Sequence, residues 1–258
     1  MNADKKIITL DNGYSFGMGI FETIAVEKGQ PLFLSWHLER MEKGLETLDI
    51  SKKDFLEQAI PEKLEQYLKE HPMEHGVLKI MASESNFILT TRENPYTDAD
   101  YKKGFRLDIS RVFRNETSPF TYIKSFHYGD NLLEKRKAKQ NNYDETLFLN
   151  SKGQITETSA SNIFFVKGKR IYTPSVECGL LDGIVRRYVK ENYDVQETII
   201  TPQEIKNFEE AFLTNSLMGI MPVVSIEDYT FPTRTCADSL LTAYHIAKYH
   251  PQKRVRIC

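Results

Sequence analysis

Apolar strand-like runs and amphipathic helix-like runs follow one another along this chain without regular strand–helix–strand alternation. That order points to an α+β fold of two lobes and away from a doubly wound parallel sheet. Residues 19–26 (Gly-Ile-Phe-Glu-Thr-Ile-Ala-Val) read as a strand that turns at Lys28-Gly29. Ser35 opens a helix whose Leu38, Met41, Leu45 and Leu48 form one apolar stripe. Residues 53–70 read as a second helix that Pro61 breaks or restarts. Runs 76–82, 86–91 and 104–112 read as strands. The polar, turn-rich stretch 113–120 is the expected boundary between a lobe of residues 1–115 and a lobe of residues 116–258.

The second half begins with a basic helix around 129–141. Two hairpins follow, one turning at Ser151-Lys152-Gly153 and one at Lys167-Gly168. Gly183 starts another helix, and Thr201-Pro202-Gln203-Glu204 is a capping box with proline in the first helical position. Glu210 to Thr214 and Pro222 to Ile226 read as strands, and 235–249 as the last helix.

Composition removes several function classes. A chain of 258 residues can bury one large core or two modest ones. Its formal charge of −2, with no long basic run, lacks the footprint of a nucleic-acid binder. No apolar run approaches the ~18 residues of a membrane span, and the charged N-terminus does not resemble a secretory signal. Cys178, Cys236 and Cys258 are odd in number and widely spaced, which argues against a disulfide framework and for a reducing, cytoplasmic compartment. Of the six histidines, His71 and His75 are four residues apart, but Pro72 between them argues against one helical face, so no metal is expected.

The candidate chemistry rests on Lys124, in Thr-Tyr-Ile-Lys-Ser-Phe-His-Tyr, and Glu157, in Ile-Thr-Glu-Thr-Ser-Ala-Ser-Asn. A lysine amine can condense with an aldehyde cofactor, and a carboxylate can hold a protonated pyridine nitrogen. Pyridoxal 5′-phosphate (PLP) needs both groups. Most lysines are solvated surface residues, but Lys124 sits between Ile123 and Ser125 in a short extended segment. The alternation around Glu157 suits a solvated strand, yet the Ser-Ala-Ser-Asn run after it makes a poor solvent-facing one. Arg40 lies off the apolar stripe of its helix, and its planar fork suits a phosphate. Glu22 and Thr23 read as strand residues without an assigned role, and Phe16, Phe21 and Phe164 as core.

Four stretches in order resemble the class IV aminotransferases, the fold-type IV PLP enzymes typified by D-amino-acid aminotransferase. They are Asp11 to Thr23, His37-Leu38-Glu39-Arg40, Lys124 through Glu157 to Phe164, and Thr173-Pro174 through Gly179-Leu180-Leu181-Asp182-Gly183-Ile184-Val185-Arg186 to Asn215-Ser216-Leu217-Met218. The resemblance implies a two-lobed subunit, usually a homodimer, with PLP between the lobes and a small-molecule amino substrate. By that similarity Lys124 is the Schiff-base lysine, Glu157 pairs with the pyridine nitrogen and Arg40 binds the phosphate. Backbone amides of Ile184 and Val185 at a helix start, the Ser216 hydroxyl and the Leu217 backbone would also hold phosphate.

The chain departs from the family pattern at Asn12, where arginine is common, at Met18, where aspartate is common, and at Val185, where threonine is frequent. The tyrosine that some relatives place five residues after the lysine falls on Gly129, with Tyr128 one residue early. Two reactions fit this resemblance. One is elimination of pyruvate from 4-amino-4-deoxychorismate to give 4-aminobenzoate, favoured by Asn215 to Val223 and Gly76-Val77-Leu78-Lys79-Ile80. The other is amine transfer from a branched-chain or D-amino acid to a 2-oxo acid, which needs a carboxylate handle such as Arg92, Arg106, Arg111 or Arg114. A third reading is a PLP-binding protein without catalysis.

Overall fold

The computed structural model describes residues 7–51 and 60–248. By contacts it divides into one unit of residues 1–94 with 123–127 and another of 95–122 with 128–258. The sequence boundary at 115/116 falls elsewhere, for a physical reason. The strand at 105–114 is hydrogen-bonded into the second unit's sheet. The short run carrying Lys124 is hydrogen-bonded to the first unit's strand at 19–27.

The first unit is an antiparallel four-stranded sheet in the order β2-β1-β3-β4. Its strands are β1 (Gly19–Glu27), β2 (Gln30–Pro31), β3 (His75–Ser83) and β4 (Phe87–Arg92). Lys28 and Gly29 both have positive φ, 51° and 74°, which makes the tight β1–β2 turn that suits twisted strands. Strand alternation puts Ile20, Ile24 and Val26 on one face of β1, with Leu78, Ile80 and Ala82 of β3 on the same side. The helix α2 (Leu34–Thr47) packs there. Met41 and Leu45 are fully buried in this core, with Leu38 and Leu48 packed at its margin, so the predicted stripe is the packing face. The helix α3 (Ile60–Glu70) carries Pro61 in its first turn, where its missing N–H costs nothing. The part of that helix expected at 53–59 lies outside the described residues.

A short helix, α1 (Asn12–Phe16), was not foreseen. It is held by the Asp11 carboxylate, which caps Tyr14 N–H and also takes Ser83 Oγ, Ser85 N–H and Asn86 Nδ2. Those hydrogen bonds outweigh the effect of burial and hold the carboxyl down at about 2. Phe16, expected in the core, is instead 68 % exposed at the end of this helix.

The second unit contains a nine-stranded mixed sheet. Its strands are β5 (Phe105–Arg114), β6 (Glu145–Asn150), β7 (Ile155–Thr158), β8 (Asn162–Lys167), β9 (Arg170–Pro174), β10 (Val195–Thr198), β11 (Glu210–Asn215), β12 (Gly219–Ile226) and β13 (Tyr229–Thr230). The pairings β8–β11, β11–β12, β12–β5, β5–β6, β6–β7 and β7–β8 close six of these strands into a ring. Closure leaves these strands without free edges. Leu107, Leu147, Ile155, Ile163, Phe165, Ala211, Leu213, Met221 and Val223 are among its fully buried core residues.

Four α-helices among the described residues accompany this sheet: α4 (Asp98–Lys103), α5 (Gly129–Gln140), α6 (Ile184–Asn192) and α7 (Thr235–Ala247). The last of these was expected to reach 249, which lies outside the described residues. The capping box forms as read, with Thr201 N–H and Oγ1 donating to Glu204, but it opens only a 3-10 helix, Pro202–Asn207. The chain turns extended at Phe208 to enter β11, which stops the helix after two turns.

The packing argument for α2 has a direct test. Leu45→Ala should lower the unfolding free energy by about 2–5 kcal/mol in urea titration, the usual cost of emptying a sealed leucine site. A loss below about 1 kcal/mol would mean that this site collapses freely.

Candidate active site

In the first unit the site residues gather on the two faces of β1. Its side facing the helix carries Glu22, a charged residue among apolar neighbours and fully buried. His37 and Arg40, three residues apart on α2, both reach it. Arg40 donates from Nε to Oε1 at 2.8 Å and from Nη2 to Oε2 at 2.7 Å. His37 Nδ1 lies 2.7 Å from Oε2.

Burial alone would raise the Glu22 pKa. The charge of Arg40, the His37 interaction and their hydrogen bonds outweigh it and hold the carboxyl at about 2. Burial holds His37 below 6.5 against the pull of Glu22, with Arg40 and Lys124 adding repulsion. The neutral ring therefore keeps its proton on Nδ1, toward the carboxylate. His37 Nε2 is buried and has no hydrogen-bond partner among the described residues.

The opposite face of β1 presents Phe21. Lys124 Nζ lies 4.5 Å from the centroid of that ring and Lys79 Nζ 4.9 Å. Burial, followed by the charge of Arg92, lowers the Lys79 pKa. Lys124 itself is placed by backbone bonds. Phe21 N–H donates to the Lys124 carbonyl at 2.9 Å and Phe126 N–H to the Gly19 carbonyl at 2.8 Å, with Ser125 opposite Ile20. The extended segment expected around Lys124 is this short edge pairing. Phe21, read as core, is buried as expected and also forms the surface against which Lys124 lies.

In the second unit Glu157 lies on β7 and both its oxygens are engaged. Oε2 accepts Leu181 N–H at 3.2 Å, and Oε1 lies 3.3 Å from Arg114 Nη2. Arg114 also donates to Asn131 Oδ1 at 2.9 Å and stacks its guanidinium 4.1 Å above the Phe148 ring. Arg114 is thus committed to Glu157 and its surroundings. Of the other arginines weighed as carboxylate handles, Arg92, Arg106 and Arg111 have exposed side chains. Tyr128 donates its hydroxyl to the Ser159 carbonyl at 2.8 Å, and Asn131 Nδ2 donates to the same oxygen at 2.6 Å. Burial, with the nearby Glu145 and Glu157 charges, raises the Tyr128 pKa and keeps it a donor.

Asn162 pairs across from Glu157 and donates to the Leu181 carbonyl at 2.8 Å. It ties Glu157 to the loop that opens α6. A Cβ on Gly183 would stand 2.2 Å from Asn162 Oδ1, so only glycine allows this approach. Gly183 is extended and supplies no side-chain cap, leaving the first-turn amides of Ile184 and Val185 at a helix end that favours an anion. Behind them Arg186 is fully buried among Asp182, Glu197 and the Pro174 carbonyl. Ser216 sits in the turn after β11. There Asn215 Oδ1 accepts the N–H of Leu217 and of Met218, each at 2.9 Å, so the Leu217 amide is spent within the turn.

The family description for class IV amino-transferases matches residues 19–226. The chain belongs to the class IV aminotransferase family. It is 30 % identical over 90 % of its length to an aminodeoxychorismate lyase of Bacillus subtilis (strain 168), covering 85 % of that protein. It is 27 % identical over 85 % of its length to a D-alanine aminotransferase of Bacillus licheniformis, covering 83 % of it. Among solved structures, a putative 4-amino-4-deoxychorismate lyase of Legionella pneumophila superposes with a TM-score of 0.84 at 28 % identity, over 94 % of this chain and 96 % of that one. The fold is therefore the two-unit fold-type IV architecture expected, α+β in class.

Sequence reading passed over Glu22 and His37. The available signal was a glutamate at a core-facing position of an otherwise apolar strand, followed by a histidine and an arginine spaced for one helix face.

Because the Glu22 pKa is depressed from 4.5 to about 2, its contribution to stability is complete above about 4.5 and is lost as pH falls toward 2. Glu22→Gln should flatten that acid limb in a series of thermal melts from pH 6 to pH 2. An unchanged limb would mean that other carboxylates set the acid response.

Proposed function

We propose that this class IV enzyme converts 4-amino-4-deoxychorismate to 4-aminobenzoate and pyruvate with PLP as cofactor. The observation that carries the reading is the near whole-length likeness to the Bacillus subtilis lyase, in a chain that carries Lys124, Glu157 and Arg40. The donor set fits PLP. Glu157 is a carboxylate with both oxygens oriented, α6 begins with amides uncapped by any side chain, and Lys124 is a partly buried amine lying against an aromatic ring.

In this reading Arg40, the amides of Ile184 and Val185, and the Ser216 hydroxyl hold the phosphate, with the Leu217 backbone lining the turn beside Ser216. Glu157 keeps the proton on the pyridine nitrogen, held in place by Arg114 and Leu181. Lys124 would hold the cofactor aldehyde, and its amine, once freed by the incoming substrate amine, would take the substrate Cα proton and return one to the departing pyruvate. When bound, the cofactor supplies the electron sink for the charge left at Cα. No acceptor acid is needed, because the amine of 4-amino-4-deoxychorismate stays on the 4-aminobenzoate product.

Amine transfer to a 2-oxo acid is the second reading, favoured by the comparable likeness to the D-alanine aminotransferase. A PLP-binding protein without catalysis is the third. One assay separates them. PLP-loaded protein mixed with 4-amino-4-deoxychorismate and no acceptor should release 4-aminobenzoate and pyruvate over many turnovers. Lys124→Ala should lose the bound-cofactor absorbance and at least about 10³-fold in rate. No product from protein with that absorbance would transfer the assignment to an aminotransferase, and no Schiff-base absorbance after adding PLP would favour the third reading in its other form, a scaffold that has lost catalysis.

We further propose a homodimer acting on a small amino substrate in the cytoplasm. Phe113 at the end of β5 and Leu132 and Leu133 on α5 are exposed apolar side chains that a second copy could cover. Cys178 and Cys236 are free thiols, as a reducing compartment would leave them. No helix among the described residues is long and apolar enough to cross a membrane. Light scattering should give about twice the 29.9 kDa chain mass, and Leu132→Glu/Leu133→Glu should shift it toward one chain. A monomeric parent protein would sink the dimer.

A further inference from the structure

We propose that Glu22 and His37 are positioning residues for the cofactor phosphate, acting through Arg40. This rests on reading Arg40 as a phosphate ligand, and it explains two costs visible in the first unit. A fully buried carboxylate is placed in the apolar core and paired there with a part-buried guanidinium, where well-packed hydrophobic residues would often be as stable or more so. His37 is buried with Nε2 unpartnered, a further penalty that a leucine would not carry. A core selected for stability alone has no use for either.

What the arrangement yields is direction. A lone arginine side chain has four flexible torsions and loses much rotamer freedom when it must meet a ligand. Here Glu22 grips Arg40 through both Nε and Nη2, which fixes the plane of the guanidinium as well as its place. Glu22 in turn cannot rotate away, because His37 Nδ1–H donates to the oxygen that also binds Arg40 Nη2. The strand holds the carboxylate and one helix face holds both donors, so the arginine is oriented by two rigid elements before any ligand arrives. The other charged group that bears on His37 is Lys124, whose repulsion helps keep the imidazole neutral and Glu22's charge directed at Arg40.

The test separates phosphate recognition from general damage by titrating apo-protein with PLP and, separately, with pyridoxal, which lacks the phosphate. Arg40→Gln should weaken PLP about tenfold to a hundredfold and leave pyridoxal nearly unchanged, the loss expected for one charged hydrogen-bond partner. Glu22→Gln should move the ratio of the two affinities in the same direction by about tenfold. His37→Leu should do so to a smaller extent, and His37→Asn, whose amide can donate where Nδ1–H does, should restore it. Where Glu22→Gln yields too little folded protein, the two His37 variants carry the test, with melting temperature measured alongside. Equal losses of PLP and pyridoxal would overturn the proposal in favour of a structural role. A normal ratio in folded Glu22→Gln and His37→Leu, with a lowered ratio in Arg40→Gln, would also overturn it while leaving Arg40 as the phosphate ligand. A normal ratio in Arg40→Gln would remove the phosphate reading itself.

Discussion

Two backbone hydrogen bonds, Phe21 N–H to the Lys124 carbonyl and Phe126 N–H to the Gly19 carbonyl, fix where Lys124, the proposed reactive lysine, stands. They bring a five-residue stretch of chain back from the second unit's sequence to an edge of the first unit's β1. Lys124 therefore does not depend on a loop for its position. It is registered against the strand whose other face carries Glu22 into the core, so the same nine residues set the lysine on one side and the Arg40 cluster on the other. Strand alternation is what separates the two roles, and a slip of one residue in β1 would exchange them.

The two units handle buried charge in the same way. In the first, a fully buried carboxylate is matched by an arginine and a histidine. In the second, Glu157 is matched by Arg114 and a backbone amide, and Arg186 by Asp182 and Glu197. Breaking one partner of such a set leaves an uncompensated charge, which costs more than the intact set contributes. These clusters are thus intolerant of single changes, which suits groups whose exact direction matters more than their contribution to stability.

Much of this was legible in the chain. The turn at Lys28-Gly29, the Met41–Leu45 stripe, the hairpins and the start of α6 at Gly183 follow from local chemistry acting over a few residues. What was not legible depends on contacts between distant segments. The position of β5 in the second unit and of Lys124 in the first follows from strand pairing, which periodicity does not encode. The 3-10 form of 202–207 follows from where the chain must go next. Arg114 read as a possible substrate handle because its partners Glu157 and Asn131 lie 43 and 17 residues away in sequence. Glu22 was passed over although its strand position was read correctly, because a buried glutamate declares itself only once its partners are seen.

The charge balance of the first unit bears on what it can bind. Lys79 and Lys124 share the Phe21 ring, and Arg40 stands behind the same strand, paired with the Glu22 carboxylate. The ring faces offset part of the repulsion between two ammonium groups, at about 0.5–1 kcal/mol each where solvent reaches them. An anion on the Phe21 side would offset more, because it would meet both ammonium groups at once. Burial, followed by the charge of Arg92, lowers the Lys79 pKa, and an anion beside it would raise it again. Both amines lie beside the ring that strand alternation presents on this side of β1, so a preference for negative charge there would follow from the sheet geometry before any particular substrate is named.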